Sequence, residues 1–370
     1  MQQIIIKESG LGEKIDFTPT IIFTFYCEHK QDSFVRTAQK IRELFGDIAL
    51  IACSSSNNII GESPYRSEET VLCLMDIKTD AFTLLFSKNK EKETSFPTSW
   101  QQRKKNALIF YAGDETWMQE NFDSLQHQLD GSGLFGAVVG TLSSTKYRGS
   151  LYYEGAFYEN ALFCCLIDAD QYDLQGVSLH DFQPAGMELL VTETEDNKIL
   201  QIEDEPALNM IEESIGLITP KRMSMFDAPF FIKDATLSEN EEFSLTSLQK
   251  IDRYTGSLQL SRTVEVGTQF KVAIPISNRT MKKRLWSVRN SFKPAYDKGA
   301  MMFLFSSSAL PSHWHEMEIL YIMSMVSHIK LPFIGMHTYS EIAPSAYQSK
   351  STLKNQTLTV VSLSERGAQR

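Results

Sequence analysis

Apolar and polar positions alternate in blocks along this chain, and one block order appears three times. An apolar strand runs into small polar residues, a polar loop follows, and a second apolar strand closes the unit. The pattern covers DIALIACSSSNNII with TVLCLMDI (Asp47 to Ile77), LFGAVVGTLSSTKY with NALFCCLID (Leu134 to Asp168), and LPFIGMHTYSEIAPSAYQSKSTLKNQTLTVVSL (Leu331 to Leu363). Each copy is preceded by another apolar strand and an amphipathic helix: IIFTFYC with DSFVRTAQKIRELF, ALIFYAG with ETWMQENFDSLQHQL, and MMFLFSSS with HWHEMEILYIMSMVSHI. A strand–helix–strand–strand unit is therefore predicted three times. The runs LIFYA, FGAVVG, MMFLF and PFIGM are nearly continuous in apolar residues, which suits central strands buried on both faces. Helices with one apolar stripe, such as Val35, Ala38, Ile41, Leu44 and Phe45, then cover the sheets. The fold class expected is α/β (mixed α+β), with layered sheets flanked by helices.

Between the second and third copies the pattern changes. GVSLHDFQPAGMELLVTETEDNKILQI reads as strands broken by a Pro-Ala-Gly turn, with a hairpin around the charged turn EDN. In EPALNMIEESIG, Ala207, Leu208, Ile211 and Ile215 recur at helical spacing, with Pro206 in the first turn and Gly216 at C′. APFFIK and TQFKVAIP read as strands and NRTMKKRLWSVRNSF as a helix. A chain of 370 residues exceeds the usual size of one core, so two domains are expected, 18–203 and 204–365.

Composition removes several functions. The net charge of −10 argues against nucleic acid and against an anionic membrane surface. No apolar run reaches the length of a membrane span, and the N-terminus has no signal-peptide core, so a cytoplasmic protein is expected. Cys27, Cys53, Cys73, Cys164 and Cys165 all lie in apolar, strand-like runs without a CxxC pair, which reads as buried reduced thiols. Cys53, at the polar end of its strand, is the one placed to meet a ligand.

The order of several motifs resembles that of FIST-domain proteins, sensory modules with an N-terminal and a C-terminal FIST domain. PFIGMHTYSEI is similar to the family's apolar-Gly-x-x-Thr-x-Gly-Glu-Ile segment, LKNQTLTVVSL to its Asn-x-Thr strand, and IALIACSSSNNI to its Gly-Cys-Ser-Thr segment. LFGAVVGT and the run from Gly176 to Gly216 follow in the expected order, so the resemblance spans most of residues 20 to 363. The departures are specific. Ser340 stands where the family has Gly, Ala52 replaces the Gly before Cys53, and Ser-Asn-Asn replaces Ala-Gly-Glu after the Ser pair. SSSALPSHWHEME replaces a Cys-x-Gly-Arg stretch, so a ligand held by that Arg in relatives is bound differently here. The resemblance implies an intracellular sensor of a small polar, amino-acid-like metabolite. Some relatives bind haem and report nitric oxide to a histidine kinase, and others are fused to signalling domains or an F-box. With no fused output module expected, this chain would signal through a separate protein, such as a histidine kinase or a cyclic-nucleotide enzyme.

The densest polar cluster is His337, Thr338, Tyr339, Ser340 and Glu341, directly after a buried-looking strand. Glu341 has two roles open to it: holding a ligand ammonium through a charge-assisted hydrogen bond, or bridging neighbouring loops. Asn355 and Thr357 are expected nearby, as ligand contacts or as partners of backbone groups. The equivalent strand ends, Cys53-Ser54-Ser55 and Thr141-Leu142-Ser143, would line the same or a pseudo-equivalent pocket. His180 and His337 are the candidates for a non-covalent haem ligand. His313 and His315, with Glu316 and Glu318, tempt a metal reading, but residues two apart on a helix point to opposite sides, so no metal is expected. A Cys53 or Ser54 nucleophile with His337 as base is the catalytic alternative. The absence of GxSxG, P-loop, GxGxxG and HExxH motifs argues for a non-enzyme. A ligand-free adaptor is the third reading.

Overall fold

The protein is seen here as a computed structural model that describes residues 1–56, 59–60, 68–88, 94–113, 115–129, 133–143, 146–180, 182–218, 230–233, 244–246, 248–260, 263–276, 280, 283–284, 286–287, 290, 300–308, 331–344, 351–354 and 357–367. It divides into two compact units, residues 1–178 with 285–353 and 357–370, and residues 179–284 with 354–356. In sequence, the second unit is an insertion into the first. The boundary at 203/204 expected from the sequence divides the chain by family segments, which is a different partition.

The first unit uses one topology three times. Copy one contains β1 (Gln2–Lys7), β2 (Ile21–Cys27), α1 (Gln31–Phe45), β3 (Ala49–Ser55) and β4 (Val71–Asp76). Copy two contains β5 (Phe82–Lys88), β6 (Lys105–Ala112), α2 (Glu115–Leu129), β7 (Leu134–Val139) and β8 (Ala161–Asp168). Copy three begins with β9 (Tyr172–Leu179). After the inserted unit, which carries β10 (Phe182–Glu195), β11 (Lys198–Ile202), β12 (Phe230–Lys233), β13 (Ser257–Leu260) and β14 (Gln269–Pro275), it resumes with β15 (Met301–Ser307), β16 (Phe333–Pro344) and β17 (Leu358–Glu365). Each copy has the spatial order first–fourth–second–third strand: β1-β4-β2-β3, β5-β8-β6-β7 and β9-β17-β15-β16. In each, the second and third strands run parallel, β2 with β3, β6 with β7 and β15 with β16. A parallel pair needs a crossover, which α1 and α2 provide. The third expected helix, HWHEMEILYIMSMVSHI, lies outside the described residues.

Copies two and three join through an antiparallel β16–β7 pairing into one sheet, while copy one forms a second sheet extended by the strands Leu151–Tyr153 and Ala156–Tyr158. The sheets pack face to face. Phe23 of one sheet meets Phe303 of the other with ring centroids 4.9 Å apart, and Phe25 meets Phe110 at 6.0 Å; within the larger sheet, Phe110 meets Phe305 at 5.7 Å. On the outer faces, Ile41 of α1 covers Ile22, Leu72 and Leu74, and Met118, Phe122, Leu125 and Leu129 of α2 cover Ile109, Leu162 and Leu166. Both faces of the central strands are therefore buried, which is why their sequences run apolar without alternation. The α1 stripe is rotated from the one read in the sequence: Phe34, Thr37, Ala38 and Ile41 are buried and Leu44 is exposed.

The second unit holds β10 (Phe182–Glu195), β11 (Lys198–Ile202), α3 (Ala207–Ile218), β12 (Phe230–Lys233), β13 (Ser257–Leu260) and β14 (Gln269–Pro275). The expected hairpin is present, turning at Asp196 with φ 55°. Two details differ from expectation. The Pro-Ala-Gly segment does not break the strand but bulges it, with the β10–β14 register shifting between Ala185 and Leu189 and Gly186 at φ 78°. Gly216 lies inside α3, whose burial of Ala207, Leu208 and Ile211 outweighs the helix cost of one glycine.

Gly136 of β7 is a glycine the fold requires. Its φ is +146°, and a Cβ there would sit 1.8 Å from the Ile109 carbonyl oxygen on β6. Gly136→Ala should cost more than the about 1–3 kcal/mol of backbone strain alone, read as a lowered urea midpoint. Phe110→Ala, which empties the junction of the two sheets, should cost about 3–5 kcal/mol by the same measurement.

Candidate functional site

Strand ends of all three copies meet at one stretch of β16. At Gly335 and Met336, β16 pairs with Ile59–Ile60, a short strand after β3 in copy one, and from Thr338 onward it pairs with β7 of copy two. At the changeover, the Ser55 hydroxyl accepts the His337 amide at 3.0 Å, and the Ser56 amide donates to the His337 carbonyl at 3.1 Å. The strand Thr141–Ser143, which follows β7, passes within 8 Å of β16.

The β16–β7 ladder slips by one residue between Thr338 and Ser340, leaving Tyr339 as the bulged residue. Strand side chains alternate with period two, so Thr338 and Glu341 would ordinarily face opposite ways; the bulge resets the phase and puts them on one face. Thr338 Oγ1 then donates to Glu341 Oε1 at 2.5 Å, and Thr357 Oγ1, just before β17, donates to Oε2 at 2.6 Å. The Ser306 carbonyl lies 3.3 Å from Thr338 Oγ1, but a hydroxyl has one proton, and the shorter, charge-assisted bond to the carboxylate takes it. Glu341, Thr338 and Thr357 are all buried, Glu341 completely. A carboxylate taken out of water costs several kcal/mol unless hydrogen-bonded, and each charged hydrogen bond returns about 1.5–3 kcal/mol.

The remaining expected residues separate by face. Cys53 points into the apolar interior between the sheets, and burial pushes its thiol well above the ordinary range. Cys27 is pushed up to about 11, also by burial, and Cys165 to about 12. Burial favours the neutral form of each of these thiols. Ser54 faces the other way: its hydroxyl accepts the Ser150 amide at 2.8 Å, while the Ser150 hydroxyl meets Tyr26 Oη at 2.9 Å and Glu28 Oε2 at 3.1 Å. Tyr339 packs among the residues under α2. Alternation places His337, also buried, on the face opposite Met336 and Thr338. Thr141 is placed through its strand, and Asn355, His313, His315, Glu316 and Glu318 lie outside the described residues. Among the described residues no cluster of three or more His, Cys, Asp or Glu is arranged to hold a metal.

Ser150 and Tyr26 were missed by sequence reasoning, because only the folded chain brings Ser150 beside Ser54. Ser307, whose amide donates to the Thr357 carbonyl at 3.0 Å, carried a sequence signal, since MMFLFSSS ends as polar as ALIACSS does.

His180 lies in the second unit. Burial first, then the charges of Arg284 and Lys354, lowers its pKa to about 3. Its Nδ1 accepts the Phe182 amide at 3.4 Å, its carbonyl accepts from Arg284 at 3.0 Å, and its ring meets Phe231 edge-on at 5.6 Å. A metal-bound imidazole almost always donates its second nitrogen's proton to an acceptor. Here Nδ1 is itself the acceptor, so His180 does not fit a haem iron in this arrangement.

Three outcomes are expected. Thr357→Val should lower stability by about 1.5–3 kcal/mol in urea unfolding, because the buried carboxylate loses a charge-assisted hydrogen bond. A thiol reagent should leave all five cysteines unmodified in the native protein and titrate them after denaturation. Because His180 has a folded pKa near 3, below its ordinary 6.5, its contribution to stability is complete above about pH 6.5 and declines as pH falls toward 3. His180→Asn should flatten that part of the stability–pH curve.

The FIST N domain family matches residues 20–205, which contain β2 to β11. No curated protein matches the chain. The matched segment covers half of the 370 residues. Among the described residues no helix is long and apolar enough to cross a membrane. The match shows that the chain belongs to the FIST family, whose domains are small-ligand sensors of signalling proteins rather than catalysts.

Proposed function

We propose that the protein is a cytoplasmic sensor that binds a small polar, amino-acid-like metabolite where the three strand ends meet, with Glu341 taking the ligand's ammonium group. The observation that carries this reading is the completely buried Glu341 carboxylate, oriented by the Thr338 and Thr357 hydroxyls at the junction of all three copies. In a low-dielectric interior, an oriented carboxylate attracts a cationic group far more strongly than it does in water. Ser55 and Thr141, from the other two copies, supply the neighbouring strand ends. Binding at the junction would favour one packing of the β16–β7 seam over another by its differential affinity for the two. A separate protein, such as a histidine kinase or a cyclic-nucleotide enzyme, would read that change. The family segments 18–203 and 204–365 belong to this reading. So does a non-catalytic role, supported by the neutral Cys53 thiol.

Thermal unfolding against a panel of amino acids and related metabolites tests it. A ligand at one hundred times its Kd should add about 2.7 kcal/mol, and the shift should vanish in Glu341→Gln, which keeps the side chain's shape but not its charge. No shift across the panel, or one undiminished in Glu341→Gln, would overturn the reading. A Soret band in the purified protein would replace the metabolite with haem, and silence in both measurements would leave a ligand-free adaptor.

A further inference from the structure

The second unit carries an apolar ridge inside an acidic rim. Met187 and Leu190 on β10, and Val266 on the segment leading into β14, are 79%, 43% and 57% exposed, although large apolar side chains are mostly buried elsewhere in the chain. Backbone bonds bring their segments together. The Glu203 amide donates to the Leu190 carbonyl at 2.9 Å, the Leu190 amide to Glu203 Oε1 at 2.6 Å, and the Gly267 amide to the Val191 carbonyl at 2.9 Å. Leu189 and Val191 point into the unit's core, so alternation sends Leu190 outward. The Ala185–Leu189 bulge aims Met187 out as well.

The rim is predominantly acidic. From Glu188 to Glu205 the sequence holds seven acidic residues and one basic residue, Lys198, and Glu265 adjoins Val266. Among the described residues, Glu188 pairs with Lys271 and Glu195 with Lys198, both at 2.9 Å. Glu203, Asp204 and Glu205 follow one another at the turn held beside Leu190.

We infer that the ridge Met187–Leu190–Val266 is a docking surface for a partner protein that presents an apolar anchor flanked by lysines or arginines. The charge decides among occupants. A second copy would set acidic rim against acidic rim, and an anionic lipid surface would be repelled in the same way, whereas a basic protein surface gains both burial and charge complementarity. The inference does not depend on what binds at Glu341, and its test contains no small ligand.

The probe is a fluorescein-labelled peptide of alternating lysine and leucine, titrated with the full chain and read by anisotropy. Saturable binding is expected, falling about tenfold or more in the double variant Met187→Ser/Leu190→Ser, as for loss of an interface anchor. Glu203→Lys/Glu205→Lys should weaken it comparably, and a glutamate–leucine peptide should not bind. Both variants alter exposed side chains, and unchanged thermal unfolding would confirm that they fold. Peptide binding that is absent, or equal in wild type and the Met187/Leu190 variant, would overturn the inference. So would binding to phosphatidylserine-containing vesicles in place of the peptide, or concentration-dependent dimerisation lost in the Met187/Leu190 variant.

Discussion

Two adjacent parallel strands cannot be joined by a tight turn, and the larger unit of this protein follows from that constraint. Each copy needs a crossover between its second and third strands, which α1 and α2 supply in copies one and two. There the helix covers one face of the sheet, and the opposite sheet covers the other. The central strands are left with apolar residues on both faces and small polar residues at the ends, where the chain leaves the core. Because β16 pairs first with Ile59–Ile60 of copy one and then with β7, those polar ends collect at one place. A polar junction in an otherwise apolar sandwich is thus a product of the topology.

At that junction, one extra residue decides the chemistry. Without the bulge at Tyr339, Glu341 would face the α2 layer and Thr338 the space between the sheets, and they would not meet. With it, a carboxylate stands inside the sandwich with a hydroxyl donating to each oxygen, one from β16 itself and one from the entry to β17. The same bulge lies in the seam that joins copies two and three. The charged group and the pairing that holds two copies together are therefore one structural element.

The repeat was legible in the sequence because its signal is periodic and local: IIFTFYC, ALIFYAG and MMFLFSSS announce buried strands regardless of their partners. The polar cluster around Glu341 was legible too, although it lies inside β16 and not after it, and its two readings, ligand contact and structural bridge, could not be separated in the sequence. What escaped was long-range or one residue deep. The Tyr339 bulge leaves no mark in HTYSE, and neither does the opposite facing of Ser54 and Ser55 in ACSSS. The pairing of Ser54 with Ser150 joins residues far apart in the chain. The Pro-Ala-Gly segment looked like a turn because proline and glycine bend chains locally; in the folded protein β10 runs through it, with β14 supplying the pairing on either side. The reading of Cys53 as a ligand contact drew on its place near a strand end, yet the phase of β3 turns it into the core.

The most direct test of the central claim is a crystal structure of the protein with the ligand identified by thermal shift. The account predicts the ligand's amino nitrogen within hydrogen-bonding distance of a Glu341 carboxylate oxygen, with Thr338 and Thr357 still oriented toward that carboxylate. A ligand bound away from β16, with the bonds from Thr338 and Thr357 to Glu341 unchanged, would contradict it and reduce Glu341 to a structural bridge.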